Sequence, residues 1–299
     1  MSAPVKGARG EALAPHTSWH IGGPADIYLE VRTTDDLVEA VIAARQQGLP
    51  FFILGGGTNL LVADRGIRGV VIANKVNDTK VDGTRIVATA GVAMAHVAAV
   101  AGRNGIGGLE FAATIPGTVG GAVHGNAGAF GTETKDVVTE VGILDPAVAL
   151  RDPPAGVRLV PASELAFRYR YSMLKERPDL VVLQATFEGT PSDRETVVQR
   201  IKAMARQRLQ KQPLDLPNCG SVFKNPPGDH AGRLVEAAGL KGFRLDGAVV
   251  SEKHGNFIVN DGNATAEDVR ALIREIQRRV FEKFKVDLEP EVEMIGEWD

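Results

Sequence analysis

The chain has 299 residues, 44% of them hydrophobic and 24% charged, with a formal net charge of −3. That length allows one large domain or two to three small ones, and the near-neutral balance gives no electrostatic ground for nucleic acid or an anionic membrane as partner. One cysteine, Cys219, excludes an internal disulfide and a cysteine-based zinc site and fits a reducing compartment. No secretory signal is visible from Met1 to Gly10, and no stretch approaches the about 18 apolar residues of a membrane helix. A cytoplasmic protein without a metal is expected.

The first elements read strand, helix, strand. Ala25 to Val31 has strand character, Thr34 can cap a helix with Leu37, Val38, Val41, Ile42 and Ala44 inward, and Gly48 can close it. Leu49 to Leu54 then forms a short buried strand that runs into Gly55-Gly56-Gly57. Near Lys80 a second unit begins, with a strand at Arg85 to Thr89, a small-residue helix at Ala93 to Arg103, and a glycine-rich run from Ile106 to Gly131. Val137 to Leu144 and Val181 to Phe187 read as strands, and Pro146 to Gly156 as an exposed loop. Ser192 and Glu195 fit a capping box for a helix with Val197, Val198, Ile201, Met204, Ala205 and Leu209 on its apolar face. Its basic residues, Arg194, Arg200, Lys202, Arg206, Arg208 and Lys211, read as a solvated face. A helix from Ala231 to Ala238 ends at Gly239, and Asn256 to Asn260 is a strand. Thr265 and Asp268 resemble the cap of a long helix with Val269, Leu272, Ile273, Ile276, Val280 and Phe284 on one side. Val286 to Ile295 is expected as a closing strand.

Three motifs carry chemistry. Gly55, Gly56, Gly57, Thr58 and Asn59 offer successive main-chain N–H groups without Cβ obstruction, plus a hydroxyl and an amide. That suits a diphosphate, or else a tight strand-to-loop turn, but it is neither a Walker loop nor a Rossmann fingerprint. Ile115, Pro116, Gly117, Thr118, Gly120 and Gly121, followed by Asn126 and Gly128, offer the close dry backbone contact and N–H donors that a flat aromatic ring system needs. The bland alternative is a glycine-rich packing loop. Gly220-Ser221-Val222-Phe223-Lys224-Asn225-Pro226 places a hydroxyl, a cation and an amide within five residues. Beside these, Tyr169-Arg170-Tyr171-Ser172 sets a guanidinium among hydroxyls, either to grip a carboxylate or phosphate or as a surface arginine. Glu289 and Glu291 flank Pro290 and would share a face in a strand, as working or merely solvated carboxylates. His254 and Asn256 are ligand contacts or loop polar groups.

In this order the motifs resemble the UDP-N-acetylenolpyruvoylglucosamine reductase family, from about Thr17 to Glu297, including Ile21-Gly22-Gly23-Pro24-Ala25 and Glu289-Pro290-Glu291-Val292. The glycine regions alone indicate only FAD-binding oxidases and reductases; the Gly220 to Pro226 run is far more specific. The resemblance implies an α+β fold, with a two-part FAD-binding region of the vanillyl-alcohol-oxidase/PCMH type and a C-terminal α+β substrate domain. The expected division is 1–78 with the 289–299 strand, 79–190, and 191–288. It implies a non-covalent FAD, NADPH as co-substrate, UDP-N-acetylglucosamine enolpyruvate as substrate, and a monomer. The lack of a long insert after Phe187 suggests the shorter subtype, without a tyrosine-bearing loop. Trp19, Phe130 and Gly125 depart from the residues common at their positions and touch flavin-pocket packing.

By motif matching, Arg170, Ser221 and Glu291 are the expected catalytic residues. Tyr169, Lys224, Asn225, His254 and Asn256 are the expected substrate contacts. The family reaction reduces an enolpyruvyl ether, so charge builds on the conjugated carboxylate and the neighbouring carbon must then be protonated. Arg170 is the expected cation, Glu291 orients or polarises the same end, and Ser221 is the proton donor. A sugar or alcohol oxidase with FAD shares the glycine clusters but not the Gly220 to Pro226 run, and His124 would be the candidate for covalent flavin. A non-catalytic nucleotide-sugar-binding protein would be colourless.

Overall fold

The computed structural model describes residues 5–299. The chain forms two compact units. The first comprises Ile27–Gly56 and Gly69–Gln207 with the N-terminal segment to Ala8, and the second Arg9–Asp26, Gly57–Arg68 and Arg208–Asp299.

In the first unit the Thr34–Gln46 helix follows Thr33, whose hydroxyl accepts the Asp36 N–H; the cap is therefore Thr33, one residue before the expected Thr34. Leu37, Val41 and Ala44 face a core with Val31, Val70, Ile72 and Leu183. Phe51–Leu54 runs parallel to Ile67–Asn74, with Phe51 opposite Val70. A parallel strand pair needs a crossover rather than a hairpin.

The rest of this unit is built on a five-stranded antiparallel sheet. Its order is Val157–Pro161, Val138–Leu144, Val181–Glu188, Arg85–Thr89, Thr79–Asp82. The Met94–Asn104 and Val119–Gly125 helices bury Val97, Ala101, Val119 and Val123 in one core with Ala185 and Phe187 from the sheet. The expected loop at 146–156 is instead two short helical turns, Pro146–Ala149 and Pro153–Gly156. Each begins with a proline, whose fixed φ and missing N–H suit a first helical position as well as a turn.

The Arg194–Lys211 helix starts from Asp193, whose carboxylate accepts the Thr196 N–H; the expected Ser192–Glu195 box is not formed. Val197 is buried, and Ile201 and Met204 pack on the same core. Leu209 is 62% exposed rather than on the apolar face. Twelve residues beyond Val197, it lies about 120° round the helix.

In the second unit a three-stranded antiparallel sheet, Arg244–Leu245, Ala248–Val250 and Ile258–Asn260, packs with the Ala231–Ala237 helix and the long Ala266–Phe284 helix. The Thr265–Asp268 capping box is present. Asp64 adds to it, since its two carboxylate oxygens accept the Ala266 and Glu267 N–H groups. The expected closing strand is shorter. Only Glu293–Ile295 is a strand, parallel to Leu60–Val62, because Lys285 ends the helix in a left-handed conformation and Pro290 has no N–H to donate.

Candidate active site

In the first unit the two glycine motifs touch. The Phe51–Leu54 strand delivers Gly55, where a Cβ would lie 2.6 Å from the Thr118 hydroxyl. Any larger residue at 55 must push that threonine aside. Gly117 has φ of 111°, and Gly121 is exposed, with only the Thr118 hydroxyl near a Cβ placed there. The backbone around Thr118 is thus bare on one side. Ile115 is buried, while Pro116 and Gly56 are exposed.

Asn126 ends the Val119–Gly125 helix in the left-handed region and is 0% exposed. Its amide donates to the Arg168 carbonyl and to Glu133, and its oxygen accepts the Lys135 N–H. The Asn126 side chain thus ties the Arg168, Glu133 and Lys135 segments together. Glu133 in turn pairs with Lys135 at 2.7 Å and lies 3.9 Å from the Arg170 guanidinium.

Arg170 sits in a two-residue turn. Arg168 and Tyr171 exchange both main-chain hydrogen bonds, and Arg170 has φ of 55°. Its guanidinium donates to the Gly128 carbonyl at 3.1 Å and stands 5.1 Å from the exposed Tyr169 ring. The next residue but one, Ser172, is buried and donates to the His124 carbonyl. Main chain and carboxylate together fix the direction of this cation.

In the second unit Gly57 has φ of 61°, and a Cβ there would meet the His16 carbonyl oxygen at 2.1 Å. Thr58 is half-buried. Asn59 donates its amide to the Glu291 carbonyl at 3.0 Å, and its own carbonyl accepts the Glu293 N–H at 3.0 Å. The Asn59 amide thus holds the chain at Glu291.

Gly220, with φ of 83°, turns the chain into an extended stretch. Cys219, Val222 and Phe223 point into the core, while Ser221 and Lys224 are half-buried. One edge of the stretch pairs with residues 289–291: Lys224 N–H donates to the Glu289 carbonyl and Glu291 N–H to the Val222 carbonyl. The other edge pairs with Asn256. Val222 N–H donates to the Asn256 carbonyl, Phe223 N–H to its Oδ1 at 2.9 Å, and its Nδ2 donates to the Phe223 carbonyl at 2.8 Å.

Glu289 and Glu291 do not share a surroundings. Glu289 is exposed and pairs with Lys224 at 2.5 Å. Glu291 is half-buried beside Cys219, whose thiol is pushed well up by burial and then by the Glu291 charge. The Glu291 N–H bond to the Val222 carbonyl sets Glu291 across from the residue that follows Ser221. Asn225 accepts the Ala231 N–H at the start of a helix. The His254 Nδ1 accepts the Asn256 N–H, so the neutral ring carries its proton on Nε2. Burial, and then the Lys241 charge, hold His254 below its ordinary pKa.

Glu133, Lys135 and the main-chain roles of Asn59 and Asn256 are not apparent in the sequence. Glu133 and Lys135 look like solvated charges in Thr132-Glu133-Thr134-Lys135-Asp136; only the glycine turn before them hints at a built loop. Among the described residues no group of His, Cys, Asp or Glu has a metal-holding arrangement, and no helix is long and apolar enough to cross a membrane.

Residues 25–148 match the family described as FAD binding domain. Residues 212–295 match the C-terminal domain of UDP-N-acetylenolpyruvoylglucosamine reductase. The protein of that name from Caldanaerobacter subterraneus subsp. tengcongensis is 46% identical over 288 residues, 96% of this chain and 93% of its own length. That of Moorella thermoacetica is 44% identical over 288 residues, 96% of this chain and 92% of its own. The crystal structure of the Thermus caldophilus UDP-N-acetylenolpyruvylglucosamine reductase matches with a TM-score of 0.78 at 35% identity, covering 96% of this chain and 98% of that one.

Proposed function

The chain belongs to the family of UDP-N-acetylenolpyruvoylglucosamine reductases, and we propose that Arg170, Ser221 and Glu291 are the side chains with which it performs that family's chemistry. It is an FAD-dependent oxidoreductase that uses NADPH to reduce UDP-N-acetylglucosamine enolpyruvate to UDP-N-acetylmuramate, in peptidoglycan precursor synthesis. Its fold is the expected one, an FAD-binding region followed by a C-terminal α+β domain. Within that fold, residues 1–78 with 289–299, and 79–190, are proposed to hold the flavin, and 191–288 to cover the substrate. We place it in the cytoplasm as a monomer.

FAD fits the residues present. Glycine at 55 lets the first motif close on Thr118 of the second, and the bare backbone at Gly121 admits a flat ring. Gly55, Gly56, Gly117, Thr118, Gly120 and Gly121 are its proposed first contacts, with Gly57 and Thr58 toward the diphosphate. Held there, FAD would supply hydride transfer from NADPH to the enolpyruvyl group.

The protein's own task is charge and a proton. Addition at the substrate carbon remote from the carboxylate drives an electron pair onto the carboxylate end. Arg170, aimed by Gly128 and Glu133, stabilises that charge where it develops, and Glu291 orients the same end. The carbon next to the carboxylate is then basic enough to take a proton from the Ser221 hydroxyl, a weak acid that needs close placement. Lys224, Asn225, Tyr169 and His254 are proposed to hold the sugar nucleotide, His254 as an Nε2 donor.

The observation that carries this reading is the extended 221–224 stretch. It is paired on one edge with 289–291, so the Ser221 hydroxyl and the Glu291 carboxylate stand on adjoining backbone. Replacing Ser221 with Ala tests it. Flavin binding and reduction by NADPH are expected to persist, while reoxidation by the enolpyruvyl substrate slows about 10²- to 10⁴-fold. Fast reoxidation in that variant would remove Ser221 from the role.

A further inference from the structure

We infer that Asn256 is a positioning residue for the Ser221 hydroxyl, acting through the main chain of Val222 and Phe223 and not through the substrate. The inference rests on Ser221 being the proton donor.

Asn256 is 4% exposed, and both ends of its amide are committed to one residue. Oδ1 accepts the Phe223 N–H at 2.9 Å and Nδ2 donates to the Phe223 carbonyl at 2.8 Å. Its own carbonyl accepts the Val222 N–H at 2.9 Å, and its N–H donates to His254 Nδ1 at 3.2 Å. An asparagine side chain presents a donor and an acceptor in one plane. Here that plane does what a neighbouring strand would do, satisfying both polar groups of a single residue.

The consequence lies in what is left free. Val222 and Phe223 are fixed by buried side chains on the core side. Glu291 N–H and the Glu289 carbonyl fix one backbone edge, and Asn256 fixes the other. With both edges held from Val222 onward, the chain is anchored immediately after Ser221, and the placement of its hydroxyl depends on that anchor. A general acid must come within about 2.6–3.2 Å of the atom it protonates. A displacement of about 1 Å can cost about 10²-fold in rate.

Asn256→Asp tests this with almost no change of shape. It keeps the acceptor for Phe223 N–H but, as a carboxylate, sets an oxygen against the Phe223 carbonyl. Asn256→Ala removes both bonds. Each holoenzyme is reduced with NADPH and then mixed with UDP-N-acetylglucosamine enolpyruvate under anaerobic stopped flow. The expected result is reduction within about 3-fold of the parent, and reoxidation at saturating substrate slower by about 10- to 100-fold. The solvent deuterium isotope effect on reoxidation should rise, substrate Kd should change by less than about 3-fold, and the Phe223 amide should exchange hydrogen faster.

A Kd raised tenfold with an unchanged saturating rate would make Asn256 a substrate contact and overturn the inference. So would unchanged reoxidation, equal slowing of both half-reactions, or failure of both variants to retain flavin, which would mark a purely structural role. Ser221→Ala run in parallel separates the two readings. If it reoxidises normally, the donor assignment itself fails. If it is slow while both Asn256 variants are fast, only the positioning role fails.

Discussion

At the residue scale, Arg170 shows how a strained position is held. A non-glycine residue at φ of 55° costs about 1 kcal/mol, a cost that the two-residue turn and the bond to Gly128 offset. Lysine would keep the charge but lose the planar fork that meets a carboxylate face on. Arg170→Lys is expected to slow reoxidation by the enolpyruvyl substrate about 10²-fold, with flavin reduction by NADPH unchanged in stopped flow. Cys219 makes the opposite case, a residue beside the chemistry that is kept out of it. Burial and the Glu291 charge hold it as the neutral thiol. A thiol reagent at neutral pH should therefore label it only on unfolding, as mass spectrometry would show.

His254 links the site to stability. Its folded pKa is below the ordinary 6.5, so the folded state binds its proton less readily than the unfolded chain. The stability this gives is fully present above about 6.5 and is lost as pH falls through that value toward the folded pKa. His254→Gln should flatten that part of the urea-midpoint profile. None of the three details is visible in the sequence alone. The sequence marks Arg170, Ser221 and Glu291 as unusual, but φ, burial and the Asn256 clamp depend on partners far along the chain. Phe223 and Asn256 are 33 positions apart, Asn59 and Glu291 232.

At the element scale, local signals were legible where one short segment decides the outcome. The box at Thr265 and Asp268 opens the Ala266–Phe284 helix as expected, because both partners lie within one turn. Asp64 adds two bonds to the same helix end from 202 and 203 positions away, and no local pattern announces it. Asp64→Ala is expected to lower unfolding free energy by about 1 kcal/mol in urea, with flavin content unchanged. The elements that differ from expectation share a cause. Leu209 continues an apolar tally but has rotated off the stripe of Val197, Ile201 and Met204. Prolines at 146 and 153 signal turn and helix start alike. Pro290 interrupts what looks like one continuous closing strand.

At the scale of the whole molecule, residues with little local meaning gain it from the chain's returns. In the second unit, residues 57–59, 219–224, 254–256 and 289–293 come together around one buried cluster. In the first, Gly55 meets Thr118 across two glycine motifs whose bland readings alone are a tight turn and a packing loop. Gly55→Val forces a side chain into that gap, and the purified variant should carry less FAD than the parent by its visible spectrum. The motifs were legible because they are short and rare. Their assembly was not, since it needs contacts the sequence does not spell out. One anaerobic experiment decides whether an NADPH-fed flavin here reduces an enolpyruvyl sugar nucleotide. NADPH should bleach the flavin band of the purified protein, and UDP-N-acetylglucosamine enolpyruvate should restore it with formation of UDP-N-acetylmuramate. Bleaching that this substrate does not reverse would contradict it.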